Sequence, residues 1–349
     1  MLHYFYSSLI VAILGIIGAY IWGNHVQAGT GLACVFITLV LAILEISLSF
    51  DNAVVNATKL EKMSDKWRHR FITWGILIAV FGMRFLFPLA VVAIFAKLNL
   101  LTVLNMALTD VQSYTHYLEL THAPIVTFGG AFLLMLFMDY FTEISKSVHW
   151  ISFIEKKMLK LSNFKGICTT VTLVAILIVA FQFVNDVRLA VMLSGGAGIL
   201  TYLIIDGLAE WLEKRQEERA KLYASTVRCS GLVGFLYLEL IDASFSLDGV
   251  LGAFALSKDI IIITIGLFIG AMFVRSLTIM LVEKKTLKQF IYLENGAHWA
   301  IGVLAVLMFI STKVEVPEVI TGLLGLVFIV SSLISSIIYN RNHNSEENI

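Results

Sequence analysis

Two short stretches of the chain carry the same acidic spacing. Glu45-Ile46-Ser47-Leu48-Ser49-Phe50-Asp51-Asn52 and Asp242-Ala243-Ser244-Phe245-Ser246-Leu247-Asp248-Gly249 each place an acid first, Ser at plus two and plus four, and Asp at plus six. Both lie inside apolar stretches long enough to cross a bilayer. A carboxylate at the bilayer centre costs about 2.5–3.5 kcal/mol on insertion scales, so it is rarely retained without a role. Two such clusters in corresponding positions point to a built polar site at mid-membrane, the arrangement of a transporter.

The cluster comprises Glu45, Asp51, Glu239, Asp242 and Asp248, set against Arg84 and Arg275. Acid exceeds base, which favours a cation as ligand. The donors are carboxylates, the Asn52 amide and the Ser49 and Ser246 hydroxyls. Such hard oxygen donors suit Mn²⁺, Ca²⁺ or Mg²⁺ better than thiolate-seeking metals. His298 is the nearby imidazole: as a ligand it shifts preference toward Mn²⁺, and otherwise it is structural. Arg84 and Arg275 either pair with Asp51 and Asp248 to staple helices or act as gating partners. Carboxylates withdrawn from water hold protons more tightly, so proton exchange is the expected coupling. On an ideal helix Glu45, Ser49, Asn52 and Asn56 share one stripe. Asp51 lies about 120° round from Glu45. Either each Asp faces a different neighbour or the helix opens near the serines; the second is favoured, since serines satisfy freed backbone groups.

The elements that must position these residues are membrane helices. The chain has 349 residues, 58% hydrophobic and 14% charged, with a mean hydropathy of +0.87. That much apolar surface excludes a soluble domain. A span needs about 20 apolar residues, and about ten are expected, over 2–23, 30–56, 71–96, 124–142, 168–186, 189–210, 229–256, 259–282, 295–312 and 318–339. Lys and Arg cluster in 59–70, 143–167, 211–228 and after 282, which places both termini in the cytoplasm by the positive-inside rule. No Lys or Arg precedes Lys59, so the first stretch is read as a retained span and not a secretory leader. Cys34, Cys168 and Cys229 form no CxxC pair and indicate neither a disulfide framework nor a zinc site.

The acidic motifs, 197 residues apart, fall on spans 2 and 7, which run in opposite directions. The expected fold is therefore all-α and polytopic, with two inverted-topology five-helix repeats at 1–186 and 189–339 and a polar disordered tail at 340–349. An alternative register matches Leu238-Glu239-Leu240 to Leu44-Glu45-Ile46. Residues 98–123 are expected to form an interfacial helix or an external cap, and 143–167 a basic surface helix on anionic lipid with no chemistry. Gly195, Gly196, Gly198, Gly266 and Gly270 are expected to permit close helix packing.

The Glu-x-Ser-x-Ser-x-Asp-Asn segment at 45–52 and the Ser-x-Asp segment at 246–248 resemble the TerC integral membrane proteins of the LysE transporter superfamily. Phe128-Gly129-Gly130-Ala131-Phe132 and Gly296-Ala297-His298-Trp299-Ala300 resemble a bacterial branch of that group. The resemblance covers roughly 40–310 and implies a bacterial inner-membrane protein linked to manganese export or tellurite resistance. It carries over to Glu45, Asp51, Asn52, Asp242 and Asp248; the chain departs from the pattern in having ten spans and Gly249 where the first motif has Asn52. The leading expectation is a secondary exporter of a divalent cation, most readily Mn²⁺. A non-transporting scaffold of a metal or tellurite stress-response complex is the alternative. No HExxH or GxSxG signal occurs, so an enzyme is not expected. Expected partners are the lipid bilayer and the cation, not nucleic acid; a homo-oligomer or a cytoplasmic protein partner is compatible with the sequence.

Overall fold

The computed structural model describes residues 2–346 apart from 76–77, 79–81, 83–85, 96, 145, 224–233, 237, 240–252, 254–256, 258, 285–289, 315 and 317. Among the described residues every regular element is helical. In chain order the α-helices are α1 (Tyr6–Val26), α2 (Gly31–Leu48), α3 (Phe50–Lys62), α4 (Asp65–Arg70), α5 (Phe87–Phe95), α6 (Leu100–Thr109), α7 (Val111–Thr142), α8 (Ser152–Leu161), α9 (Ile167–Ala180), α10 (Asn185–Tyr223), α11 (Ile260–Glu283), α12 (Leu293–Ser311) and α13 (Glu318–Glu346). A π-helical turn spans Phe71–Gly75.

Among the described residues six helices are long and apolar enough to cross a membrane: His3–Val26, Glu119–Thr142, Asp186–Leu208, Ile260–Glu283, Leu293–Ser311 and Leu323–Asn342. Gly31–Ile46 and Ile167–Ala180 are shorter apolar helices. These eight coincide with expected spans 1, 2, 4, 5, 6, 8, 9 and 10. Expected spans 3 and 7 contain most of the residues that lie outside the described set.

Burial sorts the helices into centre and rim. In α7, 78% of the membrane window is buried, against 11% at the N-terminal span. A helix that is apolar all round belongs in a core or against lipid; α7 takes the first place and α1 the second. Helix α7 packs against α9, α10 and α12, while α2 packs against α1 and α11. Helices α3 and α13 join these groups, α3 touching α11 and α12, and α13 touching α2 and α12. One core cluster gathers Leu60, Phe132, Met135, Ala297 and Met308; the other gathers Leu41, Leu89, Tyr114, Ile262 and Leu267.

Several expectations change. Residues 98–123 divide between two helices: α6 is separate, and 111–123 are the N-terminal part of α7, continuous with its span and capped by Asp110, whose carboxylate accepts from the Ser113 N–H at 3.2 Å and the Ser113 hydroxyl at 2.6 Å. Likewise α10 continues through the basic segment to Tyr223, and α13 continues to Glu346, so most of the expected tail is helical. Polar helix carries no hydropathy signal, which is why the continuity of these extensions with the apolar spans is not visible in the sequence.

Candidate functional site

The first acidic motif sits on an interrupted helix. Helix α2 ends at Leu48, Ser49 leaves helical geometry at φ −102° and ψ 12°, and α3 begins at Phe50. The ladder survives on both sides: the Ser49 N–H donates to the Glu45 carbonyl at 3.0 Å, and the Ala53 N–H donates to the Ser49 carbonyl at 3.1 Å. In the first motif the distortion expected near the serines is therefore present at one residue and keeps α2 and α3 in series, while the same expectation for the second motif falls outside the described residues. The Ser49 hydroxyl does not cap α3. It donates instead to Glu45 Oε1 at 2.8 Å. Glu45 and Ser49 are both buried.

Glu45 is seated by glycine. A Cβ at Gly270 of α11 would lie 2.5 Å from the Glu45 Cβ, and one at Gly266 would lie 2.6 Å from the Leu41 Cβ. Both distances are far inside van der Waals contact, so only glycine lets α2 and α11 approach this closely, the small-xxx-small logic of membrane helices. Glu239 is also buried, and its carboxylate tip reaches Gly75, where a Cβ would lie 2.9 Å from its Oε1; that tip can swing aside, so this contact does not demand glycine as Gly270 does. The packing role expected of Gly195 and Gly198 also holds, against Ile176 and the Phe128 carbonyl, whereas Gly196 faces open space and does not fit that expectation.

Of the remaining expected residues, Asp51 and Asn52 lie in the first turn of α3, and their side chains are outside the described set. Asp242, Ser246, Asp248 and Arg84 also lie outside the described residues. Arg275 is on α11, half-buried, and its Nε finds no hydrogen-bond partner among the described residues. Among the described residues no group of three or more His, Cys, Asp or Glu is placed to hold a metal ion.

A second polar cluster was missed by the sequence reading and overturns the expectation that 143–167 only rests on lipid. Glu155 of α8 is 1% exposed. Its Oε1 accepts from the Ile151 N–H at 3.1 Å and Trp299 Nε1 at 3.0 Å. Its Oε2 accepts from the Trp150 N–H at 3.1 Å and Asn295 Nδ2 at 3.0 Å. Buried Asn295 accepts in turn from the Tyr140 hydroxyl at 3.3 Å. The Tyr140 ring stacks on His298 at 3.5 Å and 6°, and His298 Nδ1 bonds to the Glu294 carbonyl at 2.8 Å. His298 thus touches this cluster through the Tyr140 ring and bonds to a carbonyl one turn back on its own helix. Lys146 Nζ lies 3.7 Å from the Tyr140 ring centre and 4.0 Å from that of Phe141. Burial pulls its ammonium down to a pKa of about 8, against the opposing pull of Glu155, Glu294 and Glu143. The cluster ties the α7–α8 connection to α12, and Trp150 Nε1 extends it to α13 by donating to the Ser335 hydroxyl at 3.0 Å. The available signal was Trp150, Asn295 and Trp299, side chains with N–H donors at the rim of apolar spans.

Fold and site together define a polytopic α-helical membrane protein with buried carboxylates inside and at the rim of its spans. The chain belongs to the family described as Protein of unknown function (DUF475), which matches residues 50–343. It is also similar to the Uncharacterized membrane protein YceF of Bacillus subtilis (strain 168), at 31% identity over 117 residues, 32% of this chain and 44% of that protein. The chain thus spans less than half the length of that relative. No solved structure matches it.

Proposed function

We propose that the chain is a secondary transporter that exports a divalent metal cation, Mn²⁺ foremost, in exchange for protons. The observation that carries this reading is a file of buried oxygens along α2 and α3. Thr38, Glu45, Ser49 and Asn56 are 0%, 2%, 5% and 5% exposed. At about 100° per residue all four fall within about 40° of one another, and at about 1.5 Å per residue they extend over about 27 Å. That length approaches the roughly 30 Å hydrocarbon thickness of a bilayer. Thr38 Oγ1 and Asn56 Oδ1 find no hydrogen-bond partner among the described residues, and buried oxygens of that kind call for a water or an ion.

A second support is crosswise. Glu45 of expected span 2 packs against Gly270 of span 8, and the carboxylate tip of Glu239 of span 7 reaches Gly75 of span 3. Shifting the first half by 194 residues superposes Glu45 on Glu239 and brings Gly75 within one residue of Gly270. An inverted repeat about a two-fold axis generates such a pair. The register favours Glu239, ahead of Asp242, as the counterpart of Glu45. In this reading Asp51, Asn52, Asp242, Ser246 and Asp248 complete the ion's shell, and Arg84 and Arg275 are gating partners. The resemblance to TerC proteins supplies the choice of Mn²⁺, and the basic loops supply an inner-membrane orientation with cytoplasmic termini.

The test is Mn²⁺ flux into proteoliposomes, wild type against Glu45→Gln. The exposed Lys156, Lys157 and Lys160 of α8 support a second reading, a membrane scaffold that docks a cytoplasmic partner. Under it Asp51→Asn leaves function intact, and charge reversal on α8 does not.

A further inference from the structure

A groove of about 610 Å³ lies between α3, α11, α12 and α13. Phe50 and Val54 of α3, Leu277 of α11 and Leu333 and Ile337 of α13 contribute to its apolar lining, and Lys284 is the charged residue among those that line it. The volume falls within the range of about 300–1,000 Å³ typical of ligand sites. Lys284 is the C-cap residue of α11 and follows Glu283 at the end of that helix's apolar run. It is exposed, so the apolar wall and the cation meet where a span ends, at headgroup depth.

We propose that this groove binds one anionic phospholipid, with an acyl chain along the α3–α13 wall and the phosphate at Lys284. The charge argument fixes the occupant. Lipid tails are as apolar as the lining, so an acyl chain gains little hydrophobic free energy by leaving the bilayer for the groove. Selectivity must then come from the cation, and a lysine at a membrane surface favours a negatively charged headgroup. An apolar peptide would leave Lys284 without a partner, and a free phosphate would leave the apolar wall unused. Because Phe50 follows Ser49, a lipid held here braces the start of α3.

Native mass spectrometry of the full chain, delipidated in detergent and titrated with dioleoyl-phosphatidylglycerol or dioleoyl-phosphatidylcholine, tests the assignment. Wild type is expected to retain one phosphatidylglycerol in preference to phosphatidylcholine. Lys284→Gln is expected to lower phosphatidylglycerol affinity about fivefold, the effect of one surface cation, without changing phosphatidylcholine. Leu333→Trp, which fills the groove, is expected to reduce retention of both. Equal retention of the two lipids by wild type, or an undiminished phosphatidylglycerol preference in Lys284→Gln, overturns the proposal. Lys284 is exposed, so that variant decides the matter even if the groove-filling one does not fold.

Discussion

Glu155 shows how much a single buried carboxylate can organise. Four N–H donors converge on it from the α7–α8 connection and from α12. Removing the acceptor orphans all four, and each buried group left unpaired costs about 1–3 kcal/mol. Glu155→Ala is therefore expected to destabilise the protein by about 3–5 kcal/mol, with Glu155→Gln intermediate, because its carbonyl oxygen still accepts. Thermal melts in detergent measure this, and equal melting of Glu155→Ala and wild type would refute it. Lys146 makes a pH-dependent prediction. Its pKa falls from 10.5 to about 8, so between those values the unfolded chain binds a proton that the folded chain does not. Stability contributed by this group is lowest below pH 8 and rises through the window. Paired melts should show wild type gaining on Lys146→Met from about pH 8 to pH 10.5, and a constant difference would contradict the assignment. Neither residue was legible in the sequence as more than part of a basic surface helix. A lone acid among lysines reads as solvated, and only the three-dimensional arrival of Asn295 and Trp299 shows otherwise.

At the scale of elements, contact between α2 and α11 rests on two glycines one turn apart. Gly270→Ala places a methyl group against Glu45 and forces two helical backbones apart, an overpacking cost of about 1–3 kcal/mol. Gly196→Ala meets nothing within 4 Å and is expected to stabilise α10 by about 0.5–1 kcal/mol through reduced backbone entropy. Comparing the melting of the two variants separates glycine as a packing device from glycine as a tolerated weakness; a gain in both would show that α2 and α11 do not need the close approach. The sequence reading found the apolar helices where a hydrophobic run crosses lipid, and it anticipated the distortion at Ser49 from the serine spacing. It did not find the 111–123 extension of α7 or the continuation of α10 to Tyr223, because a helix leaving the bilayer exchanges apolar for polar side chains while keeping its backbone.

For the whole molecule, the charge map predicts ten spans with both termini on the cytoplasmic side. Reporter fusions should place residues near 110 and 313 outside, and those near 160 and 284 inside. A fusion at 110 that reports the cytoplasm would break the inverted-repeat arrangement. The acidic motifs announced a polar site, but the packing of Glu45 against Gly270 and the reach of the Glu239 carboxylate to Gly75 could not be read along the chain, since each contact joins residues from different halves.

The central claim, that these buried carboxylates carry a cation through the membrane, is tested most directly by Mn²⁺ flux in proteoliposomes of wild type and Glu45→Gln at matched incorporation. Wild type should move Mn²⁺ faster when a proton gradient is imposed, and Glu45→Gln should slow it about tenfold or more, the loss of roughly 1.4 kcal/mol or more of ligand interaction. Absence of Mn²⁺ flux in folded wild type, or equal flux in the two proteins, would contradict the account.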